Sequence, residues 1–205
     1  MQSKNIKNVV FDIGNVIVRW SPLEIARLTF GEVNDLQPRC NSIFQSEIWL
    51  DLNKGKITEQ EAKSLYQQSI ALSELECERL FYYVKQTQIL LYGSIDLLKR
   101  VKAAGYNVYA LTDNVIDIVE HLKSTYSFWS EFDGTIVSAD LGVLKPQAEI
   151  YHALLNQYSL QAKETVFLDD MPNNVKGAES VGMYAIQFLT AEQCEKDLKE
   201  LGVQF

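Results

Sequence analysis

The chain has 205 residues, with 19 Lys and Arg against 27 Asp and Glu, a formal charge of −8, 47% hydrophobic and 22% charged residues. It is too apolar for disorder and long enough for one sizeable domain, or one domain carrying a smaller insert. The acidic balance and the lack of a Lys/Arg-rich block leave no electrostatic footprint for nucleic acid or an anionic membrane surface, so neither is expected as a partner.

Val9, Val10 and Phe11 form a short apolar run that stops at Asp12, with Gly14 and Asn15 following at once, which predicts a buried strand ending in a turn. The surrounding apolar stretch, residues 9–18, is too short to span a bilayer and is broken by Asp12 and Asn15. It reads as neither signal peptide nor anchor, and a cytoplasmic location is expected. From residue 21 to about residue 88 the pattern is helical, with three capping-box signatures at Ser21/Glu24, Thr58/Glu61 and Ser73/Glu76. Pro22 also sits where a helix accepts proline. This stretch predicts a small helical module.

Beyond Ser94, helix-like and strand-like runs alternate: 95–104 then 108–111, 116–123 then 135–137, 148–157 then 165–168, and 175–181 then 184–188. Gly105 and Gly182 stand where helix C-termini are expected. The alternation predicts an α/β fold, a doubly wound parallel sheet with helices on both faces, interrupted after its first strand by the helical module. The expected division is a core of residues 1–19 and 92–205 and an insert of residues 20–91, joined by short hinges near residues 19–21 and 91–94.

Cys40, Cys77 and Cys194 have no metal-ligand spacing and read as free thiols. His121 and His152 are the two histidines, each inside a helical pattern, and both are assigned to structure. Zinc clusters and Ser-His-Asp chemistry are therefore poorly supported. Carboxylates remain. In an open parallel sheet, ligands bind beyond the carboxyl ends of the strands. The residues there are Asp12, Thr112 with Asp113, and Asp169 with Asp170, while Lys145 lies on a loop before a helix. Carboxylates converging on one rim repel one another unless a cation sits among them, and hard oxygen ligands suit Mg²⁺. A hydroxyl and an ammonium beside that cation make a place for phosphate.

The order and spacing of these residues resemble the haloacid dehalogenase-like hydrolase superfamily over nearly the whole chain. Phe11-Asp12-Ile13-Gly14-Asn15-Val16-Ile17 looks like its first motif, Leu111-Thr112 its second, Gly142-Val143-Leu144-Lys145-Pro146 its third, and Leu168-Asp169-Asp170 with Asn174 and Gly177-Ala178 its fourth. The insert of about 70 residues resembles the helical cap of the subgroup that includes sugar phosphatases, and the nearest pattern is that of bacterial α-D-glucose-1-phosphate phosphatases.

The resemblance implies a Rossmann-like core and a Mg²⁺-dependent phosphatase acting on small phosphate monoesters, sugar phosphates such as glucose 1-phosphate among them. Asp12 would be the nucleophile and form an aspartyl phosphate. Asp12, the Gly14 carbonyl and Asp170 would hold Mg²⁺, with Asp169 and Asn174 behind them. Thr112 and Lys145 would bind the phosphoryl oxygens, beside Asp113 and Asn114.

Two positions depart from the family pattern. Gly14 stands where most members carry a second Asp that protonates the leaving oxygen, a role commonly worth about 10² to 10⁴ in rate. Substrates with an acidic leaving hydroxyl, such as anomeric sugar phosphates or aryl phosphates, should suffer least from its loss. Asp113 replaces the usual Asn and is expected to point away and cap the following helix. Arg19, Trp20, Trp49 and Asn53 are candidate contacts from the insert but are not assigned. The rival readings are a metal-free 2-haloacid dehalogenase, against which the adjacent Asp169 and Asp170 argue, and a degenerate module that binds a phosphorylated ligand or a protein without turnover. A mutase is disfavoured by the missing acid at Gly14. The sequence carries no signal for oligomeric state.

Overall fold

A computed structural model describes residues 5–205. Five parallel strands, β1 (Asn8–Phe11), β2 (Asn107–Thr112), β3 (Gly134–Val137), β4 (Thr165–Asp169) and β5 (Tyr184–Gln187), form one sheet in the order β3-β2-β1-β4-β5. β1 is central and pairs with β2 and β4, Val10 lying opposite Tyr109 on one side and Phe167 on the other. Successive side chains enter opposite faces: Val9 and Phe11 join one core, and Val10 joins another with Tyr109, Leu111 and Phe167. Both faces are covered, which is why the strands read as continuous apolar runs rather than alternating ones.

The insert contributes α1 (Pro22–Phe30), α2 (Leu36–Phe44), α3 (Glu47–Asn53), α4 (Glu59–Ile70) and α5 (Glu74–Gln86). Its stripes, including Ile25, Ala62, Tyr66, Leu80 and Phe81, pack into a core that runs without a gap into one sheet face. Thr58 and Ser73 form the expected capping boxes with Glu61 and Glu76. Ser21 does not, and that expectation is corrected. Its backbone, at φ −136° and ψ 84°, departs from the extended conformation that Thr58 and Ser73 hold, and Glu24, whose carboxylate would complete the box, is drawn into an ion pair with Arg19.

The remaining helices are α6 (Ser94–Ala103), α7 (Ile116–Thr125), α8 (Ser138–Leu141), α9 (Ala148–Gln157), α10 (Pro172–Ser180) and α11 (Ala191–Glu200). The last had not been anticipated, although Thr190 and Gln193 form a further capping box that the same rule could have found. Gly105 and Gly182 have positive φ, 91° and 86°, just past α6 and α10. No helix among the described residues is long and apolar enough to cross a membrane, and the three cysteines are free and buried.

The two chain segments that link insert and sheet lie side by side. Arg19 N–H donates to Ile89 O at 2.8 Å, and Leu91 N–H donates to Ile17 O at 2.9 Å. A second junction lies at the other end of α3, where the Ser138 hydroxyl donates to Asn53 O at 2.7 Å. Beside it Gly55, at φ +64°, runs so close to Ala139 that an added Cβ would stand 2.2 Å from its carbonyl oxygen. Gly55→Ala is therefore expected to push the insert off the rim and cost about 1–3 kcal/mol in urea unfolding. A variant unfolding with the wild type would refute the tight seating.

Candidate active site

The carboxyl ends of β1, β2 and β4 lie side by side, and each delivers its polar residue to one rim because the apolar run ends there. Asp12 is held at the end of β1 by its N–H, which donates to Leu168 O at 2.9 Å. Lys145 reaches in from the loop after α8. Its Nζ lies 2.8 Å from Asp12 Oδ1 and 2.7 Å from Asp169 Oδ2, and its side chain is only 2% exposed. The contact to Asp12 is an ion pair rather than an aligned hydrogen bond, so Oδ1 keeps unused accepting capacity. Asp169 is otherwise saturated. It accepts from Asn174 Nδ2 at 3.0 and 3.1 Å and from Met171 N–H at 2.8 Å.

Asp12, Asp169 and Asp170 each bring one carboxylate oxygen within 4.8 Å of the others. The donors are all hard oxygens, and Asp12 Oδ1 is buried with accepting capacity unused, so the set fits Mg²⁺. Asp170 Oδ2 accepts from Asn15 Nδ2 at 3.1 Å, while Asn15 Oδ1 accepts from Trp20 N–H at 2.9 Å. Asn15 holds φ at +52°, a left-handed conformation that Asn tolerates better than most residues. Asn15 belongs to the first motif but carries no role there from sequence alone, and its place in a tight turn after the strand is the signal for this positioning role.

Asp12, Gly14, Asp113, Asn114, Lys145 and Asp170 line one cavity of about 410 Å³. Asn174 lines it too, whereas Thr112 is 1% exposed and does not, leaving its neighbours on the floor. Asp113 is not a helix cap, contrary to expectation. Its Oδ1 accepts from Lys145 N–H at 3.0 Å, and α7 starts after Val115 with no side-chain cap. Asn114 Oδ1 accepts from Val115 N–H at 2.9 Å instead. Of the unassigned insert residues, Trp20, Trp49 and Asn53 line the cavity and Arg19 does not. Trp20 stacks on Trp49 with centroids 5.6 Å apart. His121 and His152 lie away from the cavity lining.

Gly177 shows why the fourth motif needs a glycine. A Cβ there would lie 2.8 Å from Pro146 Cβ and 2.8 Å from the Tyr151 hydroxyl, so α10 can approach the Lys145 loop only without one.

The rim carries the carboxylates of Asp12, Asp113, Asp169 and Asp170 against the ammonium of Lys145. Burial pulls the Lys145 ammonium down, but Asp12, Asp169 and Asp113 overcome it and hold the group above its ordinary value. Burial pushes Asp12 well above the carboxylate range, with Asp169 adding to the push and Lys145 opposing it. Burial likewise raises Asp113 and Asp170. A carboxyl with a raised folded pKa contributes stability that is present at low pH and lost as pH climbs from the unfolded to the folded value. Metal-free protein should therefore melt progressively lower between about pH 4 and about pH 8. Mg²⁺ should flatten that slope, and so should Asp12→Asn. Scanning calorimetry in chelator tests this, and an unchanged slope in the variant would count against it.

The chain matches the sequence model of the haloacid dehalogenase-like hydrolase family over residues 6–182. It belongs to this family of hydrolases. The hydrolase is 28% identical to a sesquiterpene phosphatase of Aspergillus oryzae, over 95% of this chain and 96% of that one. It is also 28% identical to a D-ribitol-5-phosphate phosphatase of Bacteroides thetaiotaomicron, over 89% and 91%. Its fold is similar to that of a haloacid dehalogenase-family enzyme from Bacteroides thetaiotaomicron solved with magnesium and inorganic phosphate. The TM-score is 0.73 at 22% identity, covering 89% of this chain and 93% of that one.

Proposed function

We propose that this hydrolase is a Mg²⁺-dependent phosphatase of small phosphate monoesters, and that residues 20–91 act as a cap over a core of residues 1–19 and 92–205. The observation that carries the reading is the trio Asp12, Asp169 and Asp170 with the Lys145 ammonium between two of its members. The phosphatases among its relatives support it.

In this mechanism a carboxylate oxygen of Asp12 attacks phosphorus, the ester P–O bond breaks, and water then cleaves the aspartyl phosphate to release phosphate. Lys145 steadies Asp12 and binds a phosphoryl oxygen, while Asp169, saturated by Asn174 and Met171, fixes Lys145. Asn114 completes the phosphate site beside Asp113, whose charge is partly spent on the Lys145 N–H, while Thr112, buried and off the cavity lining, supports them from behind. Mg²⁺ held by Asp12, Asp170 and the Gly14 carbonyl would neutralise the charge between nucleophile and phosphate dianion.

No carboxyl stands at position 14 to protonate the leaving oxygen. The preferred esters are therefore those whose leaving hydroxyl is acidic, glucose 1-phosphate and aryl phosphates being representatives. The test is a hydrolysis screen of sugar and aryl phosphates with and without Mg²⁺. Phosphate release that requires the cation supports the reading. Chloride release from 2-chloro acids without metal would replace it with the dehalogenase, and silence in both with a binding module.

A further inference from the structure

We infer that the leaving group is an aromatic alcohol rather than a sugar, a narrowing that rests on the phosphatase reading above. The cavity carries two kinds of lining. Its charged groups are Asp12, Asp113 and Asp170 at the strand ends and Lys145 from the loop after α8, with Leu144 and Met171 next to them in the chain, whereas the insert brings Trp20, Phe44, Trp49 and Leu50. The rings form one cluster: Trp20 and Trp49 stack at 14°, and Phe44 meets both edge-on at 5.5 and 5.0 Å.

A sugar ring would need hydrogen-bond partners for several hydroxyls, because an unpaired polar group in such a pocket is costly. Three of the four lining amide nitrogens are committed: that of Asn15 to Asp170, that of Asn53 to Trp49 O at 2.8 Å, and that of Asn174 to Asp169. An aromatic ring asks for none of these and gains from burial and edge or offset contacts with the tryptophans. A phenol-like oxygen, with a pKa near 10, also leaves without the acid that Gly14 lacks. Wall and floor therefore select the same ester.

The experiment compares binding of benzylphosphonate and a dihydroxybutylphosphonate of similar length to the magnesium-supplemented protein by calorimetry and tryptophan fluorescence. Neither ligand has a leaving group, so recognition is separated from leaving-group acidity. The benzyl compound should bind about 50-fold more tightly, the ratio that burying a phenyl-sized apolar face implies. Trp20→Ala, at the half-buried ring, should erase most of that preference. Leu50→Asn, which changes the polarity of the wall without removing a ring, should lessen it. Equal binding, tighter binding of the diol, or no binding of either would overturn the inference. Mg²⁺-dependent phosphate release from any ester would then still leave the phosphatase reading standing, and its absence would remove both.

Discussion

Asp12→Asn should abolish turnover, lowering kcat by about 10⁴-fold or more, as removal of a covalent nucleophile does. The fold should survive the change. Asn keeps the shape of the side chain, and the substitution removes one charge from a rim whose carboxylates outnumber its ammonium. Melting of the metal-free variant at pH 8 should accordingly be no lower than that of the wild type, whose Asp12 burial pushes upward. Phosphate release and calorimetry on the same preparation separate the two effects. Residual activity within about tenfold of the wild type would assign the attack to another group.

Lys145→Ala should damage both activity and stability. The ammonium is buried between Asp12 and Asp169, 2.8 and 2.7 Å away, and among the described residues no other lysine or arginine lines the cavity. Its loss leaves the two carboxylates facing each other with no cation between them, which costs about 3–5 kcal/mol for a broken buried pair. Activity should fall by about 10²-fold to 10³-fold through loss of charge stabilisation at phosphorus. Lys145→Arg should not restore it, because the slot admits a compact ammonium and the planar guanidinium is a different shape. Mg²⁺ should recover part of the lost stability and little of the rate. Urea midpoints in chelator and in Mg²⁺ provide the check, and a midpoint equal to the wild type in chelator would contradict the buried triad.

The three inner strands, β1, β2 and β4, were legible because each is a continuous apolar run stopped by a polar residue, and burial on both faces makes that signal strong. The same stops named Asp12 and Asp169, the loop before a helix named Lys145, and the structure gathers the three within ion-pair distance. Asp113 was misjudged because its partner, the Lys145 N–H, is supplied by a loop 32 residues away and competes with the local capping role. Ser21 failed as a capping box for a similar reason: Glu24 is satisfied by Arg19, and propensity gives no weight to a competing cation. Trp20, just before α1, and Trp49, on α3, stayed unassigned since an apolar ring looks alike in sequence whether it fills a core or walls a cavity. Trp49 belongs to both.

The most direct test of the account is to quench the reaction in acid during turnover of an aryl phosphate with Mg²⁺ and locate any phosphoryl adduct by peptide mass spectrometry. A hydroxylamine-sensitive adduct on Asp12 is the predicted result. An adduct on another residue, or sustained phosphate release with none on Asp12, would contradict it.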